Sequence, residues 1–397
     1  MPQSLTSRER MLRALRHQQP DHVPCAFMSF SAMRGRCQDA YEVVEEELAL
    51  GLDSILFIPS SWRNQRPNHP DLRGLPVRWP QAIRTHLWQE DLPGESFPVL
   101  HKEYHTPAGV LTTLVRKTHD WPHGNSVPFL DDYQIPRAIV PLVTCQADLD
   151  ALRTMLLPPG PEEASAFRAE VGRAKAFCAQ HGVLLAGGWG VGGDMVGWLC
   201  GLERMMLLTA DQPQLLEELL ALIADWNETR MRVVLEAGVD LYIRRGWYEG
   251  ADFWSPALYR RFLLPQIQRQ AQLAHEYGLL LGYNMTTGAL PMLDNILASG
   301  VDVLIGADPL QHGQDPLRTM RDKLGGKVCL WGGVSGAITV EEGSEDDVRQ
   351  AVNRALDTMR GVDGFVLSPV DNITEITRRA WHNVEVLIAA WKERWAG

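Results

Sequence analysis

Short apolar segments alternate with segments of helical periodicity along most of the chain. Eight of the apolar segments are predicted to be buried strands, and each is followed by at least one predicted helix. These strands lie near Val23, Ser54, Val183, Asp240, Leu279, Asp302, Val328 and Gly364. Short apolar strands that alternate with helices are typical of a parallel sheet covered by helices. Eight such repeats predict an α/β protein that closes into a single (β/α)₈ TIM barrel.

The spacing of apolar residues also predicts where the longer helices lie. It predicts helices over 214–237 and 255–277, and a last helix that begins after Asp371 and Asn372. Ile373 and Ile376 are expected on the apolar face of that last helix. An open, doubly wound sheet is the structural alternative. No GxGxxG pattern follows the first strand, which favours the barrel.

The stretch from about 59 to 141 interrupts this alternation between the second and third strands. It is rich in proline, tryptophan and histidine and has no helical period. Residues 101–117 alternate around a turn at 106–109, which predicts a β-hairpin. We therefore expect a barrel over 1–397 with a β-rich insertion folded over one end. Loops of this kind often close over barrel sites, but a lone loop histidine is more often solvated. That applies to His101, His105, His119 and His123.

Charge, apolar runs and cysteine spacing together indicate which class of protein this is. The 397 residues carry a formal net charge of −11, and no basic stripe is present, which disfavours nucleic-acid binding. No apolar run approaches the roughly 18 residues that a membrane span needs, and no secretory signal is visible at the start. The six cysteines are scattered without a CxxC pair. The expectation is a cytoplasmic protein with reduced thiols.

In a TIM barrel the functional residues lie where strands end and βα loops begin. A carboxylate there can act as a general acid or base when its pKa is shifted, so Glu249 and Asp371 are the first candidates. We also expect a cavity shared by both carboxylates with Trp189 and Asn284. The expected catalytic residues are Glu249, Asp371, Tyr248 and Asn284. The expected substrate-binding residues are Trp189, Trp247, Tyr283, Thr286, Asp308, Trp331, Arg34, Arg36 and Arg245.

Several of these residues also fit purely structural roles. Asp308 precedes a proline, a common turn pair, and Asp371 is placed to cap the last helix. Arg244 and Arg245 either bind a substrate carboxylate or pair with Glu249 as a structural salt bridge. The chain has 13 tryptophans, several in glycine-rich turns, where they form either pocket walls or core packing.

Several short motifs follow one another in a specific order at 8–16, 20–24, 104–109, 117–121, 255–259, 299–302 and 364–372. Each motif is weak alone, but together they span nearly the whole chain. In this order they resemble the uroporphyrinogen decarboxylase superfamily, and in particular its methyltransferase-like branch. The resemblance implies a (β/α)₈ barrel. It also implies either tetrapyrrole decarboxylation or methyl transfer to or from corrinoids, thiols or pterins.

The chain departs from the decarboxylase pattern in two places. True decarboxylases carry an arginine-containing segment after the first strand that grips the propionates of the tetrapyrrole. Here Arg34 and Arg36 stand in a different surrounding pattern. The family's aspartate after the second strand is absent, since residues 58–61 contain none. A highly anionic substrate needs several guanidinium partners, so tetrapyrrole decarboxylation is disfavoured.

The chain also departs from the zinc-dependent methyltransferases, which carry a His-x-Cys pair after the fifth strand. Asn284 and Thr286 stand at the matching positions, and residues 368–372 lack the family's C-terminal cysteine. Zinc that activates a thiol needs imidazole or thiolate ligands. A zinc site of that kind is therefore disfavoured, while an oxygen-ligand site at Glu249 or Asp371 stays open.

Three functions remain at this point. The leading hypothesis is a methyltransferase or demethylase that moves a methyl group between a small, for instance aromatic, substrate and a corrinoid or tetrahydrofolate acceptor. It implies a corrinoid protein as a partner and is compatible with a homo-oligomer. The second is a non-tetrapyrrole decarboxylase or lyase in which Arg34, Arg36 or Arg245 holds a carboxylate. The third is a binding subunit without catalysis, since fold alone does not fix function.

Overall fold

The structure is a computed structural model, and it describes residues 5–59, 70–72 and 77–395. Its strands belong to two sheets, one parallel and one antiparallel. The strands are β1 (Ile55–Ile58), β2 (Arg84–Glu90), β3 (Val99–Thr106), β4 (Gly109–Arg116), β5 (Ala138–Val140), β6 (Leu184–Gly190), β7 (Leu241–Arg245), β8 (Leu280–Asn284), β9 (Val303–Ala307), β10 (Cys329–Ser335) and β11 (Phe365–Val370).

The larger sheet is parallel and has the order β1-β6-β7-β8-β9-β10-β11. The strands follow one another in chain order, so no switch point of a doubly wound sheet occurs. Cys25 bridges Leu367 of β11, and Ala26 bridges Asp53 just before β1. The predicted first strand is thus reduced to isolated bridges, and the described sheet has seven regular strands rather than eight. Pro24, which has no N–H to donate, limits the ladder there.

One side of the sheet encloses an apolar interior. Alternate residues of the strands, such as Leu241, Ile243 and Trp331, form a cluster there with Met11 and Leu15 of the first helix. The residues between them pack in the main core with the surrounding helices. Consecutive residues of one strand therefore belong to two different environments.

Most of the described helices cover the outer side of the sheet, whereas the first packs against the interior cluster. The helices are named in chain order. They are α1 (Ser7–Leu15), α2 (Ala40–Ala49), α3 (Gln146–Arg153), α4 (Pro161–His181), α5 (Gly193–Cys200), α6 (Leu202–Asp211), α7 (Pro213–Ala237), α8 (Pro256–Phe262), α9 (Leu264–Glu276), α10 (Leu293–Ser299), α11 (Pro316–Leu324), α12 (Glu345–Thr358) and α13 (Arg378–Trp395). Among the described residues, none of these helices is long and apolar enough to cross a membrane.

Helix α1 is tied to the amino-terminal end of the parallel sheet. Arg8 forms an ion pair with Asp240, just before β7, at 2.6 Å. Arg10 forms one with Asp53, just before β1, also at 2.6 Å. These contacts lie at the starts of the strands, so the opposite, carboxyl end is left for the βα loops.

Two helix predictions were wrong. The predicted helix over 255–277 is divided into α8 and α9, since Pro265 cannot donate the hydrogen bond that continues a helix. The last helix begins at Arg378, and Ile376 is 67% exposed. The preceding residues form a loop because Oε1 of Glu341 accepts hydrogen bonds from the N–H groups of Thr374 and Glu375.

The insertion contains the antiparallel sheet in the order β2-β3-β4-β5. The hairpin predicted around 106–109 is present as β3 and β4, with Thr106 paired to Gly109. Residues 60–69 and 73–76 of the insertion lie outside the described part of the chain, including Ser60 and Ser61 of the segment that departs from the decarboxylase pattern. The β-rich character of the insertion is confirmed for the part that is described.

Candidate active site

Two polar residues end neighbouring strands on the interior face of the parallel sheet. Arg245 of β7 lies in register with Asn284 of β8. Successive side chains of a strand point to opposite faces, and Leu241 and Ile243 face the interior. Arg245 therefore faces the interior too, as does Asn284, which shares the parity of Leu280. A guanidinium and an amide thus stand above the apolar interior at its carboxyl end.

The guanidinium of Arg245 is held by two carboxylates. Its Nη2 donates to Oδ1 of Asp132 at 2.7 Å, and its Nε lies 3.0 Å from Oδ2 of Asp194. Its central carbon lies 4.0 Å from the ring centroid of Trp247 and 4.7 Å from that of Trp198. Arg245 is 2% exposed. Its charge is balanced, and its position fixed, within the protein.

Asp132 was missed by the sequence analysis. Its Oδ1 accepts from Arg245, from the hydroxyl of Tyr248 at 3.0 Å and from Nε1 of Trp198 at 2.9 Å. It comes from the end of the insertion, 113 positions before Arg245. No spacing rule connects residues so far apart, although the acidic pair Asp131-Asp132 is a visible signal. The insertion therefore contributes directly to the mouth of the barrel.

Asp194 was missed as well. It lies in the first turn of α5 and accepts the N–H groups of Trp247 at 3.2 Å and Tyr248 at 2.8 Å. Burial raises the pKa of Asp194 to about 6, against the opposing charge of Arg245. The glycine-rich run at 187–193 is the signal that could have found it, because such a run after a strand brings a helix start to the mouth. Asp194 orders the loop after β7.

Trp189 stands on a β-bulge. The register between β6 and β7 shifts between Gly188 and Gly190, and Trp189 has φ of 77°. Such a φ is rare for a bulky residue, and bulges re-aim side chains beside functional sites. Buried Arg230 of α7 donates from Nη2 to the carbonyl of Trp189 and holds the bulge.

The redirected ring of Trp189 forms an aromatic wall. Its centroid lies 5.5 Å from that of Phe57 and 6.3 Å from that of Trp247, both edge to face. Phe57 belongs to β1 and Trp247 to the loop after β7. Three separate strand ends therefore supply one apolar surface beside Arg245.

Some buried polar atoms at the mouth have no hydrogen-bond partner among the residues that the structure describes. One is Nε of Arg245, although it lies 3.0 Å from the carboxylate of Asp194. Two others are Oδ1 of Asn284, which is 4% exposed, and Nε1 of Trp247. Buried polar groups are almost always paired, so each exception needs an explanation. A ligand that donates to Asn284 and accepts from Trp247 would satisfy both.

Two further carboxylates stand at the rim, Asp308 after β9 and Asp371 after β11. Burial raises the pKa of both, and the negative charge of Asp371 raises that of Asp308 further. The pKa of Asp371 is lowered by Arg245 and raised by Glu341 and Asp132. Both carboxylates thus follow strands of the parallel sheet at its carboxyl end. Asp371 itself has φ of 67°.

Glu249 lies on the other side of the sheet. Its Oε1 accepts from Nη2 of Arg244 at 2.5 Å and from the N–H of Gly193 at 2.6 Å, and its Oε2 accepts from the hydroxyl of Tyr283 at 2.6 Å. Arg244 also donates to Gln270 of α9, which places the group between sheet and helices. The expectation that Glu249 and Tyr283 line the mouth is therefore wrong. The alternative of a structural salt bridge, formed with Arg244, is confirmed.

A profile of the family described as uroporphyrinogen decarboxylase (URO-D) matches residues 133–393, about two thirds of the chain. The chain belongs to the uroporphyrinogen decarboxylase family. No curated protein is similar enough to count as a match.

A solved methyltransferase structure has the same fold. A methyltransferase from Methanosarcina mazei is 18% identical, with 98% of this chain and 99% of that chain covered and a TM-score of 0.59. A B12-independent methionine synthase from Shewanella sp. W3-18-1 is 14% identical over 56% of this chain and 65% of that chain, with a TM-score of 0.42. At 18% identity, the likeness to the methyltransferase is one of fold alone.

The other predicted site residues lie in different parts of the structure. Trp331 is buried in the barrel interior and donates from Nε1 to the carbonyl of Ala26 at 2.8 Å, so it supports the bridge segment and does not line the mouth. Arg36 stacks on Trp381 of α13 at 3.3 Å and remains exposed. Thr286 is buried in the loop after β8. The side chain of Arg34 lies outside the described part.

The two structural alternatives for the rim carboxylates have different outcomes. Oδ1 of Asp308 accepts from the N–H of Leu310 at 2.9 Å, so the turn is confirmed. Asp371 does not cap the last helix, because α13 begins seven residues later at Arg378.

The histidines named in the insertion have partners within it. His101 stacks on Trp88, His105 contacts Glu103, His119 contacts Phe97 and His123 contacts Asp131.

The residues present do not fit the thiol-activating zinc site of the family's methyltransferases. An amide and a hydroxyl, from Asn284 and Thr286, replace the imidazole and the thiolate. In the described ranges, no group of three or more histidine, cysteine, aspartate or glutamate side chains is arranged to hold a metal ion. The chemistry of this mouth must be argued from its carboxylates, its amide and its aromatic wall.

Proposed function

We propose that this chain is an enzyme that transfers a methyl group from a small substrate to a nucleophilic acceptor of the corrinoid or folate type. The reaction takes place at the carboxyl end of the barrel, beside Trp189 and Asn284. The observation that carries the proposal is the pairing of Arg245 with both Asp132 and Asp194. Membership of the family and the fold shared with a methyltransferase are consistent with it.

The state of Arg245 disfavours the decarboxylase alternative. A decarboxylase of an acid substrate needs a cation that is free to hold the carboxylate. Arg245 already has two carboxylate partners, and Arg36 lies on Trp381. Methyl transfer from a neutral or cationic substrate needs no such cation.

The proposed methyl transfer requires at most one proton, which neutralises the leaving group. The bond between the methyl carbon and the substrate heteroatom breaks, and its electron pair stays on the heteroatom. The methyl carbon forms a bond with the electron pair of the acceptor. When the leaving heteroatom would otherwise be an anion, a carboxylic acid donates the proton that neutralises it, and the carboxylate remains. We assign this proton to Asp371, since a raised pKa favours the protonated form needed by a general acid.

The aromatic wall and the amide have supporting roles in this scheme. Trp189 and Phe57 offer a surface for the apolar part of the substrate, and Asn284 accepts a hydrogen bond from it. The acceptor is a second substrate. A corrinoid would be presented by a partner protein, whereas a folate would enter directly.

The test is a methyl-transfer assay with the full chain. Isotope-labelled O-methyl and N-methyl compounds, aromatic and aliphatic, are incubated with reduced cobalamin or tetrahydrofolate, and the methylated acceptor is measured by mass spectrometry. Asp371→Asn is expected to slow transfer on the order of a hundredfold or more when the leaving group needs a proton. Asp363→Asn, on the loop that precedes β11 at the opposite end, is the matched control.

A parallel assay measures carbon dioxide release from a panel of carboxylic acids. Transfer that depends on Asp371 supports the proposal. Carbon dioxide release without methyl transfer would overturn it in favour of a decarboxylase. Tight binding of a compound without any turnover would favour the binding subunit.

A further inference from the structure

We infer that the substrate of this mouth is a cation, of the ammonium or quaternary ammonium class. This inference deepens the proposed function and rests on it for the location of the site. It is carried by an excess of negative charge around the opening, by an unpartnered buried acceptor and by an aromatic wall.

The carboxylates around the opening outnumber the guanidinium that contacts them. Among the described side chains, Arg245 is the one guanidinium in contact with Asp132 and Asp194, and it cannot neutralise more than one full negative charge. Asp308 and Asp371 follow β9 and β11 at the same end of the sheet and add further carboxylates. When the leaving group is a neutral amine, the methyl-transfer step needs no proton, and Asp371 then acts as an anion. A cation at this end would be attracted by these carboxylates, and an anion would be repelled.

The hydrogen-bonding groups point the same way. Oδ1 of Asn284 is an acceptor, is 96% buried and has no partner among the described residues. It lies on the interior face in register with Arg245, whose Nη2 and Nε lie beside the carboxylates of Asp132 and Asp194. The polar atom left for a ligand on that strand end therefore attracts an N–H donor or the positive edge of an N-methyl group.

The aromatic wall completes a site for a cation. Trp189, Phe57 and Trp247 form edge-to-face pairs, so their rings are inclined to one another around a corner. Aromatic faces attract quaternary ammonium groups through the ring quadrupole, most strongly where water is excluded. Arg245 against Trp247 shows the same attraction within the protein.

The test compares three compounds of nearly the same shape and different charge. Choline carries a positive charge, 3,3-dimethylbutan-1-ol is its neutral isostere, and 3,3-dimethylbutyrate is the anion. Their binding to the full chain is measured by calorimetry without a methyl acceptor. We expect choline to bind about tenfold or more tightly than the alcohol, and the anion to bind weakest. Equal affinities, tighter binding of the anion, or no binding of choline would overturn the inference.

Substitutions test whether the preference for choline arises at the mouth. Asp371→Asn is expected to reduce the preference for choline over the alcohol about tenfold, and Asn284→Leu to weaken binding of choline. Asp363→Asn should leave both affinities unchanged. A preference that survives both mouth substitutions in folded protein would also overturn the inference. Because the calorimetry contains no acceptor, it measures binding independently of turnover. If choline binds but transfers no methyl group in the separate assay with an acceptor, the proposed reaction is contradicted and the substrate class stays intact.

Discussion

The buried ion pair of Arg244 and Glu249 tests most directly whether Arg244 and Arg245 lie on opposite faces of the sheet. Both side chains are fully buried, and Oε1 of Glu249 accepts from Arg244 at 2.5 Å and from Gly193 at 2.6 Å. The substitution Glu249→Gln removes the negative charge but keeps the size of the side chain. It leaves the Arg244 guanidinium inside the protein without its counter-ion.

The expected loss of stability follows from that orphaned charge. Removing one partner of a buried pair costs about 3–5 kcal/mol. The hydrogen bond from the Tyr283 hydroxyl adds to this if the new amide turns its NH₂ group towards it. An exposed pair gives the comparison, since Glu217 and Arg261 are about half exposed and lie 2.8 Å apart. Glu217→Gln should cost less than about 1 kcal/mol.

Denaturant titration of the variants measures these losses as shifts of the unfolding midpoint at constant slope. The double variant Arg244→Met with Glu249→Gln removes both charges and should recover part of the loss. The coupling between the two sites is expected to be about 2 kcal/mol. Choline affinity of folded Glu249→Gln should stay unchanged.

The opposite pattern would refute the argument. If Glu249→Gln were as stable as Glu217→Gln and abolished ligand binding or turnover, Glu249 would belong to the active site. The assignment of opposite faces to Arg244 and Arg245 would then be wrong.

Three further predictions concern the frame of the site. Burial raises the pKa of Glu47 to about 8, so folding binds a proton and stability falls as pH rises from 4.5 towards 8. Glu47→Gln should become more stable than the wild type by a few kcal/mol above that pH, measured by denaturation across the range; parallel curves would contradict this. Asp132→Asn should cost about 1–3 kcal/mol and speed hydrogen exchange over 128–140, unlike the exposed Asp150→Asn. Arg230→Met should speed exchange over 187–193, around the Trp189 bulge, and weaken choline binding; unchanged exchange would contradict its role.

The sequence was sufficient to predict the fold class, the insertion and most helices. Apolar strands in alternation with helices determine those features almost alone. The helix boundaries that failed depend on distant partners. The loop before α13, for example, is held by Glu341 from the segment after β10, which no local pattern reveals.

The positions of some site residues were predicted, and the main error of position has a physical cause. A strand buried on both faces reads as a continuous apolar run, so its sequence does not say which residues face the interior. Arg244 and Arg245 were therefore equivalent in the sequence, although only Arg245 faces the mouth. Trp189, Asn284 and Asp371 lie at the expected end of the barrel, and their functional roles stay predictions. Asp132 reaches the mouth only through the folding of the insertion.

A crystal structure of the chain with bound choline tests the central claim most directly. The account predicts the ammonium group against Trp189, near Asn284 and Asp371, with Glu249 still bonded to Arg244. Choline in contact with Glu249 would contradict it. So would choline in the cavity of about 390 Å³ at the other end, lined by residues that include His22, Trp391 and Trp395, with the carboxyl end of the barrel empty.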